Sequence, residues 1–264
     1  DASGNFVWAR RMGGTGDEEG RTITVASDGS VFIAGYFYGS VDFNPGVDTY
    51  NLTSAGQSDI FVSKLDASGN FIWAGRMGGV SYDAAEPMAL AADGSITIAG
   101  QFCETADFDP GTGRYNLSSS GDYDIFICRL NSSGSFSWAR KIGGASDDVG
   151  IRSIAVTSDG SVYATGGFIG TVDFDPGSAS YNLTSTGSVD VFVSKWNSSG
   201  GFGWARSMGG TGRDGGSAIA VAAVGNVHVT GNFSGTSDFD PGTGTYNLGS
   251  AGCVVVFLAK LSSS

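Results

Sequence analysis

The sequence predicts an all-β fold: a β-propeller of four four-stranded blades, made from one unit repeated along the whole chain. Three observations carry that expectation. Four segments of the 264-residue chain open alike, at Asp1, Asp66, Asn131 and Asn197: DASGNFVWARRMGG, DASGNFIWAGRMGG, NSSGSFSWARKIGG and NSSGGFGWARSMGG. A fixed period of that size, roughly 65 residues from Asp1 to Asp66, is the signature of a repeat architecture. Every copy then holds short runs of Val, Ile, Phe and Tyr between Gly-, Asp- and Ser-rich turns, which is strand composition. Finally, the innermost runs are apolar on both faces, as in Ile23-Thr24-Val25-Ala26. A half-solvated sheet would alternate apolar with polar, so both faces need a covering neighbour.

The repeats are expected at 1–65, 66–130, 131–196 and 197–264, as one domain. Counted outward from the axis, the innermost strands are Ile23–Ala26, Met88–Ala91, Ile154–Thr157 and Ile219–Ala222. The second strands are Val31–Phe37, Ile96–Phe102, Val162–Phe168 and Val227–Phe233. The third are Ile60–Leu65, Ile125–Leu130, Val191–Trp196 and Val256–Leu261, and the outermost Phe6–Met12, Phe71–Met77, Phe136–Ile142 and Phe202–Met208. Asp28-Gly29, Asp93-Gly94 and Asp159-Gly160 suit type I′ hairpins, whereas Val224-Gly225 in the fourth copy should weaken that turn. One extra residue near Gly150–Ile154 reads as a bulge or longer loop. The sequence starts with an outermost strand and finishes with a third strand. Ring closure is therefore expected through pairing of Phe6–Met12 with the C-terminal blade, as propellers commonly close. Two chains sharing an eight-bladed ring, or a longer array, satisfy the same pattern.

Composition narrows the function classes. Charged residues make up only 15% of the chain and aromatics 12%, the opposite of a disordered segment. A net charge of −12 repels phosphate backbones, so nucleic acid is not an expected partner. No apolar run reaches the ~20 residues of a membrane helix, so no membrane insertion is expected. Cys103, Cys128 and Cys253 recur in no other copy, which fits neither a repeated disulfide framework nor a zinc site. A Cys103–Cys128 bridge inside one copy stays open.

Chemistry is sought first in the loop Asp42-Phe43-Asn44-Pro45-Gly46, which recurs as Asp107–Gly111, Asp173–Gly177 and Asp238–Gly242. Its alternating oxygens, Asp42 and Asn44, Asp107 and Asp109, Asp173 and Asp175, Asp238 and Asp240, could share a hard cation that wants ~6–8 oxygen ligands. Asp59, Asp124 and Asp190 at the start of the third strands would complete such a calcium set, and Glu18, Asp83, Asp147 or Asp148, and Asp214 open on the same face. In the fourth copy Val255 replaces that third-strand Asp. The competing reading is a turn: Asp caps the backbone two residues on, Pro fixes φ and Gly relieves strain. Val-Asp-Phe and Tyr-Asn-Leu would then be the arms of an extended hairpin. Trp8, Trp73, Trp138 and Trp204 read as packing anchors rather than a sugar platform. His228, the sole histidine, sits on a strand with no Ser or Cys signature beside it. Catalytic residues are therefore not assigned.

The pattern (D/N)xSGxFxWAR(R/K)xGG…IAV…DG(S/N)V…(T/A)GxF…DFDPG…YNLTSxGxxD(I/V)FV(S/A)K(L/W), present in every copy, resembles the bacterial SBBP-type β-propeller repeat. The resemblance implies a propeller and a secreted or cell-surface setting, and it implies no activity. It departs from the family in the long connection Gly39–Ser58 and its equivalents, and in showing four copies where seven are usual. The expected function is a non-catalytic binding scaffold of a secreted or cell-surface protein for an unknown protein or glycan partner. Calcium-stabilised loops and a monomeric or self-associating state both fit that expectation. A structural unit of an extracellular array or fibre, and a glycan-active enzyme, are the alternatives.

Overall fold

The computed structural model describes residues 2–145, 150–175, 177 and 179–262. Within them the chain is all-β and every ladder is antiparallel. The first unit holds β1 (Gly13–Gly14), β2 (Glu18–Val25), β3 (Val31–Asp42), β4 (Asn51–Leu65) and β5 (Phe71–Gly79). The second holds β6 (Asp83–Leu90), β7 (Ile96–Asp107), β8 (Asn116–Leu130) and β9 (Phe136–Gly144). The third holds β10 (Gly150–Val156), β11 (Val162–Phe168), β12 (Thr171–Asp173), β13 (Asn182–Thr184), β14 (Asp190–Trp196) and β15 (Phe202–Gly210). The fourth holds β16 (Gly215–Val221), β17 (Val227–Phe233), β18 (Thr236–Asp238), β19 (Asn247–Gly249) and β20 (Val255–Leu261). Pairing follows chain order in each unit: β2-β3-β4-β5, β6-β7-β8-β9, β10-β11-β14-β15 and β16-β17-β20. The strand order expected from the repeat is therefore the order observed.

Two devices join neighbouring units. Apolar side chains interleave between them: Ile60, Val62 and Met77 of the first unit pack with Met88 and Leu90 of the second. Ile125, Ile127 and Ile142 meet Ile154 at the next junction, and Val191, Val193 and Met208 meet Ile219 at the third. The second device is backbone. After leaving β4, the tail of β5 bonds into the next unit, with Gly78 opposite Asp107 and Gly79 opposite Ala106. Gly143–Gly144 and Gly209–Gly210 repeat this step. A Cβ on Gly79 would lie 2.1 Å from the Thr105 carbonyl oxygen, so the second glycine of each GG pair is what lets the strands approach.

Inside each unit three phenylalanines form a fully buried knot. Phe102, Phe108 and Phe126 have ring centroids 5.3 Å and 4.8 Å apart, and the other units repeat the arrangement. The central phenylalanine belongs to the DF(D/N)PG loop, so that loop is anchored in the core.

Three expectations are corrected. The Asp-Gly hairpins are not type I′, because Gly29, Gly94, Gly160 and Gly225 have positive φ while the residue before each does not. Each is a type I turn closed by a left-handed glycine, with Gly29 N–H bonded to Ala26 O and Ala26 N–H to Ser30 O. Val224-Gly225 closes the same way, with Gly225 N–H bonded to Ala222 O at 2.7 Å; what it lacks is the Asp side-chain cap seen between Asp28 Oδ1 and Ser30 N–H. Second, the innermost strand carries a register shift in all four units, so the one at Ile151/Ser153 does not mark the extra residue of the third copy. That residue falls between Gly144 and Gly150, where 146–149 lie outside the described residues. Third, the expected closure is not made. Phe6–Met12 forms no strand, and β20 pairs only with β17 among the described residues. The N-terminal segment is instead held by the loop ahead of β5, with Trp8 Nε1–H bonded to Ala67 O and Arg10 Nε–H to Gly69 O.

Glu104 is the sole described non-glycine residue at positive φ, 61°, where the other units have Gly39, Gly170 and Gly235. Its side chain is exposed, so little packing offsets the left-handed strain of ~1–2 kcal/mol. Glu104→Gly is expected to raise the unfolding free energy by about 1 kcal/mol in urea titrations; a loss of stability would show that the glutamate makes a compensating contact.

Candidate functional site

The DF(D/N)PG loop folds as the cap of a hairpin. Val41 pairs with Leu52 and Asp42 with Asn51, and Phe43 N–H closes on Tyr50 O. One oxygen of Asp42 accepts two amides, from Asn44 at 3.0 Å and Tyr50 at 2.9 Å, and Asn44 Oδ1 accepts the Gly46 amide. Asp107 and Asp109 repeat this set, as do Asp173 with Asp175 and Asp238 with Asp240. Asp and Asn are required because only a short acceptor reaches the amide two residues on.

Asp59, Asp124 and Asp190 do not join that loop's carboxylates. Each is buried, Asp59 and Asp124 midway along β4 and β8 and Asp190 at the start of β14, and each holds the residues just before it: Ala55, Ser120 and Thr186 amides donate to their Oδ2 atoms, each at 2.9 Å. Glu18, Asp83 and Asp214 do related work at the starts of β2, β6 and β16, accepting the amides of Gly14, Gly79 and Gly210. Asp147 and Asp148 lie outside the described residues. Among the described residues, no group of three or more His, Cys, Asp or Glu side chains is gathered to hold a metal ion.

The junction acids do meet in pairs. Asp59 and Asp83 both crowd Gly78, and the Asp214 charge bears on Asp190 across the third junction. Burial pushes the Asp83 carboxyl up to about 7, opposed by the Gly79 amide and aggravated by the Asp59 charge. Burial also raises Asp59, although the Ala55 amide and the Arg76 guanidinium oppose it. Asp190 is raised by burial and by Asp214. Lys141 pairs with Asp124 at 3.2 Å in the second unit, and Ser207 occupies the corresponding place in the third. Oδ1 of Asp59, Asp124 and Asp190 has no hydrogen-bond partner among the described residues.

A polar cleft of about 410 Å³ opens beside the third junction. Gly150, Arg152, Gly215 and Ser217 come from the innermost strands; Gln101, Gly167 and Asn232 come from the second strands. Arg213 enters through a bridge to Val189, reinforced by the Asp214 amide bonding to Val189 O at 2.7 Å. Neither Arg152 nor Arg213 makes an ion pair among the described residues. Two guanidiniums over a glycine floor can take carboxylates bidentately. Sequence reasoning missed this grouping because its members come from different positions in different copies: Arg213 aligns with Asp17 and Tyr82, and Arg152 with Arg21, Glu86 and Ser217.

The remaining candidates behave as packing residues. Trp138 and Trp196 are buried, and Trp8, Trp73 and Trp204 partly so. His228 stands on β17 opposite Lys260. All three cysteines are free, and Cys128 Sγ lies 3.7 Å from Met77 Sδ inside the first junction.

No family model matches the chain. A WD repeat-containing protein of Acanthamoeba polyphaga mimivirus is similar over most of it. That protein is 23% identical over 238 residues, which cover 78% of this chain and 17% of its own length. The regulatory protein FlaEY of Caulobacter vibrioides is 29% identical over 134 residues, 51% of this chain and 14% of its own length. The chain thus spans under a fifth of either relative. The likeness to a WD repeat-containing protein agrees with a repeat-built all-β chain.

Between its ordinary value of 3.8 and about 7, folded Asp83 keeps a proton that the unfolded chain has released. Stability attributable to it is therefore full below pH ~4 and lost as the pH rises toward 7, on the order of 1 kcal/mol per pH unit. Urea unfolding at pH 5 and pH 8 should show this fall, and Asp83→Asn should flatten it. An equally steep fall in the variant would assign the dependence to other groups.

Proposed function

We propose that this chain is a non-catalytic interaction scaffold, a β-propeller whose blades present stiffened loops and a polar cleft to a protein partner. The observation that carries the proposal is the cleft beside the third junction. Arg152 and Arg213 converge there from different units onto a glycine floor, in a chain that is otherwise strongly acidic. Cationic groups at one place on an anionic surface select an acidic segment by charge and position it by forked hydrogen bonds. The scaffold suits the task, because loops capped by their own Asp side chains and pinned by a buried phenylalanine need little further ordering on binding. Similarity to a WD repeat-containing protein and the resemblance to SBBP-type repeats support the propeller; the latter also supports a secreted or cell-surface setting.

A peptide display screen rich in Asp and Glu tests the reading. Acidic binders are expected whose affinity falls at least tenfold in Arg152→Ala and Arg213→Ala, with the melting midpoint unchanged. Enrichment of neutral sequences, or binding indifferent to both substitutions, would count against it. Loop order is supplied here by amide bonds to Asp42, Asp107, Asp173 and Asp238. Excess chelator is accordingly expected to leave the midpoint where calcium leaves it; a clear rise with calcium would instead place a metal in the native state.

A further inference from the structure

The cleft beside the third junction is built from positions that every unit repeats. Near the start of the innermost ladder Gly150 stands opposite Gly167, as Glu19 stands opposite Tyr36 in the first unit. Just beyond, each innermost strand shifts register. The residue set aside there is Arg152 in the third unit and Arg21 in the first. A β-bulge of this kind re-aims the side chain it carries, and bulges are over-represented beside active sites. The second and fourth units have Glu86 and Ser217 at that place, so the first and third units are the two that set a cation there.

In the first unit the three positions satisfy one another. The Tyr36 hydroxyl donates to Glu19 Oε2 at 2.6 Å, and Arg21 Nε lies 3.1 Å from Glu19 Oε1. The Arg21 guanidinium also stands over the Tyr36 ring, 5.4 Å from its centroid. In the third unit the arginine is kept and both companions are glycine. Arg152 is exposed and makes no ion pair among the described residues, and the space beside it belongs to the cleft. The first unit therefore displays, within the same chain, the groups that the cleft lacks: a carboxylate on the guanidinium and a ring beneath it.

Resting on the reading of the cleft as a site for an acidic segment, we propose that this segment carries an aromatic ring beside its acid. The carboxylate takes the place that Glu19 holds against Arg21, and the ring packs on Arg152 as Tyr36 packs on Arg21. Arg213 supplies a second guanidinium, and Ile169 and Val189 give the ring an apolar wall. A Cβ on Gly150 would meet no described atom within 4 Å, so the acid has room. A Cβ on Gly167 would lie 2.7 Å from Val189 Cγ1, so the third unit cannot carry a ring of its own there. The cleft's 410 Å³ falls within the ~300–1,000 Å³ usual for ligand pockets. In an extended peptide, residues two apart share a side. The motif is accordingly an acidic and an aromatic residue with one residue between them.

Titration of the full chain with two blocked peptides, acetyl-Glu-Gly-Tyr-amide and acetyl-Glu-Gly-Ala-amide, tests the proposal. The tyrosine peptide is expected to bind about fivefold more tightly, the gain of a ring packed on a guanidinium. Gly150→Glu places a carboxylate beside Arg152, as Glu19 stands beside Arg21. It should abolish binding of the tyrosine peptide while circular dichroism and the melting midpoint are kept. Equal affinity for the two peptides would overturn the proposal and leave the acid-binding cleft standing. Binding undiminished in Gly150→Glu would overturn it as well. Failure of the tyrosine peptide to saturate would also overturn it; the display screen then decides separately whether acidic segments bind at all. Should Gly150→Glu misfold, Arg152→Ala, which alters an exposed side chain, decides instead: a preference for tyrosine that survives this substitution overturns the proposal.

Discussion

Every sheet in this protein is apolar on both faces, and the burial of those faces against neighbouring sheets is the constraint from which the rest follows. Fully burying one Val, Leu or Ile side chain contributes about 1.5–3 kcal/mol, and each junction buries several from both sides. Such contacts demand close approach, which explains the glycines. The GG pair ending each outer strand admits a carbonyl where a Cβ could not stand. The glycine at the middle of each second strand, Gly35 in the first unit, does the same opposite Glu19 O, 1.8 Å from where its Cβ would be.

The acidic character of the chain has an internal side. Asp42, Asp107, Asp173 and Asp238 organise hairpin tips, and Asp59, Asp124 and Asp190 organise the bends beneath them. Those in the bends are buried as charged or chargeable groups, which is costly unless amides and cations compensate. Compensation differs by unit: Arg76 pairs with the acid in the first and Lys141 in the second, whereas the third has Ser207 at that position. The repeats thus share a framework while their junctions differ in charge, and the polar cleft opens beside the third, the junction whose corresponding position is a serine.

Much of the fold was legible because it is written four times. Period, strand order and the hairpin capped by Asp-Pro-Gly all follow from residues recurring at one spacing. The turn type was not legible: Asp-Gly serves both a mirror-image turn and a type I turn ending in a left-handed glycine, and the five-residue span from Ala26 to Ser30 selects the second. Closure was misread because Phe6–Met12 carries the residues of an outer strand without indicating which sheet, if any, it reaches. The acidic positions of the loop and of the third strands stand apart for a related reason. Alternating acidic residues point to one side only in an extended segment, and this one bends so that each carboxylate finds an amide. Arg152 and Arg213 were hidden because they stand at different positions of different copies, being brought to one cleft only by the packing of the third and fourth units.

The handing of each outer strand from its own sheet to the next hairpin has a bearing on how such chains lengthen. A duplication of one full period, wherever its breakpoints fall, recreates every junction, because the segment cut from one end is the segment needed at the other. An insertion inside an outer strand, unlike the extra residue after Gly144, would shift a glycine pair out of register with its hairpin. Gain or loss of whole repeats thereby leaves every remaining junction intact.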